Sequence, residues 1–263
     1  MVSFLFNRDM KCKGKSVSSN QINMQPSASY KIFSLGDSAI TIDFGNIIDE
    51  QINQRVISLF KYLKENPLRF QKEVIPAFSS LTIHYYLTEI RKKVSTPETA
   101  YKWMKNIVEQ VLERDVSENT SKQRKVHVPV CYEKEYATDI EMLSGEKGLS
   151  IDEVINIHTS VHYRVYMLGF LPGFAYMGKL NEQIGFARKP QPQNVLAGSV
   201  GIAGLQTGIY PFNSPGGWQI IGRTPVKMFD STKKEITFLQ AGDTVQFYSI
   251  TSDEFKDIKS RNT

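Results

Sequence analysis

The sequence predicts an α+β protein in two parts: a small α/β sandwich, ferredoxin-like in its element order, followed by a closed β-barrel. Three observations predict it. Strand-like and helix-like periods alternate between residues 30 and 115. Beyond about residue 160 only short strand-like runs remain, separated by Gly/Pro turns. Residues 196–225 hold seven of the 17 glycines, three prolines and a single charge, Arg223, in a chain that is 22% charged. An apolar run with so few charges belongs to a core. It cannot be a helix, because each Gly costs about 1 kcal/mol and each Pro about 3 kcal/mol against Ala. Short strands joined by tight turns remain, with backbone passing close to a neighbouring strand or to a ligand.

In order along the chain, residues 1–28 are polar and without period, and read as a disordered leader in which Met24 is an alternative start. The sandwich spans 29–116. Ile40, Ile42 and Phe44 alternate as in a half-buried strand. Asp49 caps a helix whose apolar face is Ile52, Val56, Leu59, Phe60 and Leu63, with Pro67 past its end. Two strands come next, around Val74 and from Leu81 to Tyr86, joined by a turn at Phe78-Ser79-Ser80. Thr96-Pro97-Glu98 reads as the start of a second helix with Thr96 as cap and with Trp103, Met104, Ile107, Val108, Val111 and Leu112 on its face.

Residues 117–124 read as a linker. The barrel domain spans 125–251, opening on the alternation of Val126, Val128 and Val130. Two short helices come after it, announced by capping boxes at Thr138/Glu141 and Ser150/Glu153. Strands are then expected at 163–170, 195–204, 219–221, 226–229, 235–239 and 245–250, an unrepeated series that favours a closed barrel. Residues 252–263 read as a polar tail.

Composition narrows the function. Of the net charge of +5, +3 sits in the leader, which leaves too little for a clustered nucleic-acid-binding face. Cys12 and Cys131 form no disulfide framework and fit a reducing, cytoplasmic setting. No run approaches the roughly 20 apolar residues of a membrane span.

Several residues are candidates for chemistry. Arg223 is a lone cation in an apolar run, so it is either paired, placed at a cleft to grip a carboxylate, or snorkelling at a strand end. Gln206, Thr207 and Tyr210 offer amide and hydroxyl groups beside flexible backbone, or satisfy that backbone themselves. Ser214, Gly216 and Gly217 form a turn that presents the Trp218 indole, to a pocket or to the barrel end. His158 closes a helix and is either a general acid/base or a packed C-terminal histidine. Its spacing to His162 lacks a third ligand, so no metal site is assigned. The segment 173–179 matches the first seven positions of a phosphate-binding loop, but Leu180 stands where a hydroxyl is required. The turn through Phe174, with Tyr176 after it, reads instead as pocket wall or partner surface. No nucleophile elbow is present.

The strings Tyr163–Phe170, Pro172-Gly173-Phe174, Gln206–Pro211, Ser214–Trp218 and Gly222–Pro225, with Leu35–Ala39 near the start, resemble the KipI family, also called allophanate hydrolase subunit 1 or the B subunit of 5-oxoprolinase. The resemblance covers about 30–250. It implies a ferredoxin-like domain followed by a cyclophilin-like barrel. It also implies one of two functions. The first is a non-autonomous subunit of an ATP-dependent enzyme that opens 5-oxoproline to glutamate, working with a second cyclophilin-like subunit and a third subunit. The second is a binding protein that inhibits a histidine kinase. On the first, His158 and Arg223 are the expected catalytic residues, Arg223 on the substrate carboxylate. Gln206, Thr207, Tyr210, Ser214, Gly216, Gly217, Trp218, Phe174 and Tyr176 are the expected substrate-binding set. ATP is then a requirement of the assembled complex. Neither reading involves nucleic acid or a membrane.

Overall fold

A computed structural model describes residues 30–94, 98–113 and 124–261. The leader, Met24, Thr96-Pro97 and all of the linker but Arg124 lie outside them. In the first unit, strands β1 (Lys31–Ser34), β2 (Ala39–Asp43), β3 (Gln71–Pro76) and β4 (Ser80–Tyr85) form an antiparallel sheet in the order β1-β2-β4-β3. Ile40, Ile42, Leu81 and Ile83 pack with Val56 and Leu63 of helix α1 (Glu50–Glu65) and Met104 and Val108 of helix α3 (Ala100–Leu112). The alternation at 40–44 thus marks a face that is buried because two amphipathic helices cover it. Asp49 caps α1, its carboxylate accepting the Ile52 N–H at 2.9 Å. The cap of α3 is Thr99, whose hydroxyl accepts the Lys102 N–H at 3.1 Å. The sequence pattern points three residues earlier, and it misses helix α2 (Leu87–Arg91) between β4 and α3. Among the described residues two strands, not one, precede the first helix. The extra one, β1, fills the edge beside β2 and is mostly exposed, so it carries no alternation to read.

Seven strands close the barrel in the order β10-β7-β6-β13-β5-β12-β9. They are β5 (Lys125–Cys131), β6 (His162–Leu168), β7 (Ala175–Gly178), β9 (Ser199–Ala203), β10 (Gln206–Ile209), β12 (Gln219–Arg223) and β13 (Thr244–Ile250). Closure removes every sheet edge. All pairings are antiparallel except β13 with β5. Helices α4 (Ile140–Lys147) and α5 (Ile151–Thr159) come after β5, and the strands β8 (Gln193–Val195) and β11 (Ser214–Gly216) form a separate pair. The interior is packed by Val128, Val130, Tyr163, Val165, Met177, Val200, Ile202, Ile209, Ile221 and Phe247.

Several expectations give way to the structure. The capping box at Ser150/Glu153 is formed. The one at Thr138/Glu141 is not: Asp139 precedes α4, and its carboxylate is drawn away to the Ile220 N–H and Lys189, each at 2.6 Å. Residues 226–229 and 235–239 form no strand beyond a single bridge, Phe229 with Thr237. Asp230 turns the chain between them by accepting from the Thr232 N–H and hydroxyl. The closing segment is no loose tail. It forms α6 (Ser252–Arg261), anchored by Phe255 against Cys131, Tyr136 and Ile250. One apolar residue per turn suffices when it finds a pocket, although the composition is polar.

The two units meet at a polar joint. Asn53 of α1 is fully buried and donates to the carbonyls of Phe78 (3.0 Å) and Tyr166 (2.9 Å). It accepts from Arg164 Nε at 2.7 Å, and Arg164 also donates to Gln54 at 2.9 Å.

Candidate functional site

Gly201, Gly208 and Gly216 answer the question the sequence raised for 196–225: their open sides face aromatic rings and backbone, whereas Gly204 faces open space and Gly222 faces Val130. A Cβ on Gly208 would lie 3.0 Å from Phe174, Trp218 and the Ala175 carbonyl. One on Gly201 would lie 3.0 Å from Trp218, and one on Gly216 would collide with the Tyr210 ring. Gly216 belongs to the β8–β11 pair, and Gly201 and Gly208 make a smooth outer barrel wall. Phe174, Tyr210 and Trp218 lie on it with Val195, Ala203 and Ile220, and Tyr176 packs at the margin. The rings meet edge to face, with Phe174 at 5.3 Å from Trp218, 5.1 Å from Tyr210 and 4.8 Å from Tyr176. Such pairs add about 0.5–1.5 kcal/mol each beyond area burial.

The inside of the barrel is different. His158 is fully buried, stacked on Phe247 at 4.6 Å between ring centroids. Its Nδ1 lies 2.7 Å from the Tyr132 hydroxyl and its Nε2 lies 3.1 Å from Thr207 Oγ1. Thr207 donates to the Gly201 carbonyl at 3.1 Å. That bond fixes the rest: Nε2–H donates to Thr207, and Nδ1 accepts from Tyr132. Burial lowers the His158 pKa to about 3 and raises that of Tyr132 well above its usual value. The expected catalytic histidine is therefore a neutral core residue, sealed from solvent, and Thr207 is its partner rather than a substrate contact. His162 starts β6 and is exposed, so the two histidines do not converge.

The remaining expected residues divide. Tyr176, Phe174, Tyr210 and Trp218 come together, whereas Gln206 and Arg223 lie far from each other. Across β9, Gln206 is opposite Ala203 and Arg223 is opposite Ser199. Four residues of strand separate these, about 13 Å. Arg223 is half-buried and donates through Nε to the Ala197 carbonyl at 2.8 Å, with its guanidinium 6.0 Å from the Phe255 ring centroid. Burial lowers its pKa. Gly216 and Gly217 serve the backbone, the latter through its carbonyl to the Lys189 N–H. Ser214 Oγ and Gln219 Oε1 are buried without hydrogen-bond partners. Near the Arg223 end of the strands, Phe170 is 62% exposed at φ 66°, a left-handed conformation that non-glycine residues rarely adopt.

The structure also places a residue the sequence pattern does not single out. The Arg188 guanidinium lies over Trp218, 5.8 Å from its ring centroid. Its charge works against the burial that raises the pKa values of Tyr176 and Tyr210. Arg188 sits in a Pro-rich basic stretch, RKPQP, whose only sequence signal is that of a solvated loop.

Comparisons with known proteins give this geometry its class. Residues 30–239 match the family model of the carboxyltransferase domain, subdomain C and D. In fold, the chain superimposes with a TM-score of 0.69 and 29% identity on a crystal structure of TTHA0988, over 81% of this chain and 40% of that one. It superimposes with a TM-score of 0.70 on the K. lactis urea amidolyase, of which it spans 16%; at 19% identity that likeness concerns the fold alone. In sequence, it is 42% identical over 238 residues to the 5-oxoprolinase B subunit of Bacillus subtilis strain 168, covering 98% of that protein. It is 33% identical over 218 residues to the protein of the same name from Escherichia coli O157:H7. The chain belongs to the family of 5-oxoprolinase B subunits.

Proposed function

We propose that the chain is the B subunit of a cytoplasmic 5-oxoprolinase that, with companion subunits, opens 5-oxoproline to L-glutamate with hydrolysis of ATP. One observation carries this reading: the match at 42% identity to 98% of the Bacillus subtilis protein. The proposal includes a ferredoxin-like identity for the first unit, with β1 standing in for a terminal strand, and a cyclophilin-like one for the barrel.

The chain's own residues do not fit an ATP phosphate cradle at the one candidate motif. Residues 175–178 of that motif are strand β7, and Leu180 is buried. The next element is a single 3-10 turn (Glu182–Ile184) rather than a helix whose N-terminus could receive phosphate. Activation of the lactam by ATP is therefore assigned to a companion subunit. This chain contributes the surface that holds the small acid, and its carboxylate calls for a guanidinium. The residue the sequence points to is Arg223.

The test combines the purified chain with its companion subunits and measures 5-oxoproline-dependent ATP hydrolysis and glutamate release. The complex is expected to be active and the chain alone inactive. Activity of the isolated chain would contradict the assignment of ATP to another subunit. An inactive complex would abandon the oxoprolinase reading, and inhibition of histidine-kinase autophosphorylation would then be the measurement to make.

A further inference from the structure

We infer that Arg188, seated on the Trp218 indole beside Tyr176, forms the subsite that takes the carboxylate of a small acid, in place of Arg223. The identity of the acid, 5-oxoproline, rests on the proposed function; the subsite itself rests on geometry.

Arg188 is held in place by its neighbours. On one side, Gln219 Nε2 donates to the Ala187 carbonyl at 2.9 Å. On the other, the Lys189 N–H donates to the Gly217 carbonyl at 2.7 Å. Both anchors flank Trp218, so the backbone that carries Arg188 is tied to the strand start that carries the indole. Lys189 adds a third tie: its ammonium is 2.6 Å from Asp139 and 2.9 Å from Gln193. The lysine is thus committed to structure. Its neighbour Arg188 is exposed and forms no ion pair with any described residue. A guanidinium whose backbone is fixed and whose aromatic shelf is preformed loses less freedom on gripping an anion than one on a free loop. Its planar fork matches a carboxylate, and stacking on Trp218 leaves the edge donors free.

The partners suit a small ring acid. Tyr176 is half-buried, packs on Trp218 at 5.9 Å, and its hydroxyl lies within reach of the Arg188 charge. Arg223 is less well placed. Its Nε is taken by Ala197 and its ring neighbour is Phe255 of α6, with none of the gathered tyrosines in contact. The aromatic residues expected to bind substrate gather on this surface, and the cation beside them is Arg188.

The test uses the full chain. Trp103 and Trp218 are its only tryptophans, so Trp103→Phe leaves Trp218 as the sole reporter. Titration with 5-oxoproline, acetate and inorganic phosphate is followed by indole fluorescence, and Arg188→Ala, Arg188→Lys and Arg223→Ala are compared in the same background. Saturable quenching by the carboxylates is expected, weakened about tenfold or more by Arg188→Ala, as for loss of a charge-assisted contact. Arg188→Lys, which keeps the charge and loses the fork, should recover only part, and Arg223→Ala should weaken binding less than Arg188→Ala does. Phosphate binding as strong as that of the carboxylates would overturn the carboxylate assignment. Coincident titrations for Arg188→Ala and its parent would overturn the subsite. Where the isolated chain binds too weakly to read, KM for 5-oxoproline in the assembled enzyme decides: an unchanged KM in Arg188→Ala sinks the subsite while leaving the oxoprolinase reading intact. A parent complex without activity sinks that reading, and an isolated parent chain that shows no saturable quenching by acetate then overturns the subsite as well.

Discussion

The two sides of one barrel wall, a single strand thick, use polar groups in opposite ways. Inside, Tyr132, His158, Thr207 and the Gly201 carbonyl form a chain in which every side-chain donor is used. Outside, Phe174, Tyr176, Tyr210 and Trp218 form an apolar layer, and the polar groups around it are left over: Ser214 Oγ has no partner, and Arg188 has an aromatic shelf but no carboxylate. A network that satisfies itself supports the fold, and one that stops short can receive something else. The difference shows why a buried, strongly perturbed histidine is a poor guide to this site. Its perturbation comes from desolvation alone, without a charged partner or a cleft.

The sharpest way to break the comparison is to open the inner network. His158→Ala should cost about 3–4 kcal/mol, the sum of a cavity and a stranded Tyr132 hydroxyl, read as a shift in the denaturant midpoint. A change below about 1 kcal/mol, the scale of a single net hydrogen bond, would mean that water already reaches the barrel interior.

Acid should act through the same residue. With a folded pKa of about 3 against an ordinary value of 6.5, His158 binds its proton only in the unfolded chain across that window. Its contribution is therefore complete above pH 6.5 and is lost as pH falls towards 3. Between pH 7 and pH 5 the loss should be about 2 kcal/mol. It is measured by denaturant unfolding at the two pH values and should be absent in a His158→Gln chain.

On the outer side, Gly208→Ala should cost about 1–2 kcal/mol, because the new methyl meets a backbone carbonyl and two rings at 3.0 Å. Near-ultraviolet circular dichroism should change with it, since Phe174 and Trp218 must shift. The smallest effect is expected at Ser214→Ala, within about 0.5 kcal/mol of the parent or slightly stabilising, since the hydroxyl removed is buried and unpaired. A loss above about 1 kcal/mol would show that the hydroxyl has a partner in solution, and would make the outer layer as self-satisfied as the inner one.

Legibility in the sequence divides along the same line. Where burial imposes a period, as in β2, α1 and α3, the pattern is readable, and Asp49 and Ser150 announce their helices. Strands β7, β10 and β11 are not separable, because they lie in runs of glycine, aromatic and polar residues whose alternation reports ring contacts rather than core and solvent. The Thr138/Glu141 box does not form: Asp139 holds the cap position, and its carboxylate is bonded across the chain to Ile220 and Lys189, a long-range bond that no local pattern encodes. The aromatic members of the site are legible as a group. Their cation is not, because Arg188 reaches Trp218 only through the anchoring of Ala187 and Lys189 to Gln219 and Gly217, far along the chain.

Asn53 has a consequence for motion. This one side chain spans helix α1, the turn at Phe78 and barrel strand β6, and it shares Arg164 with Gln54. Swinging the sandwich away from the barrel would break three hydrogen bonds of this joint in the same stroke, each worth about 0.5–3 kcal/mol net. Thermal energy does not supply that often. A hinge at this seam is therefore disfavoured against joint movement of the two halves.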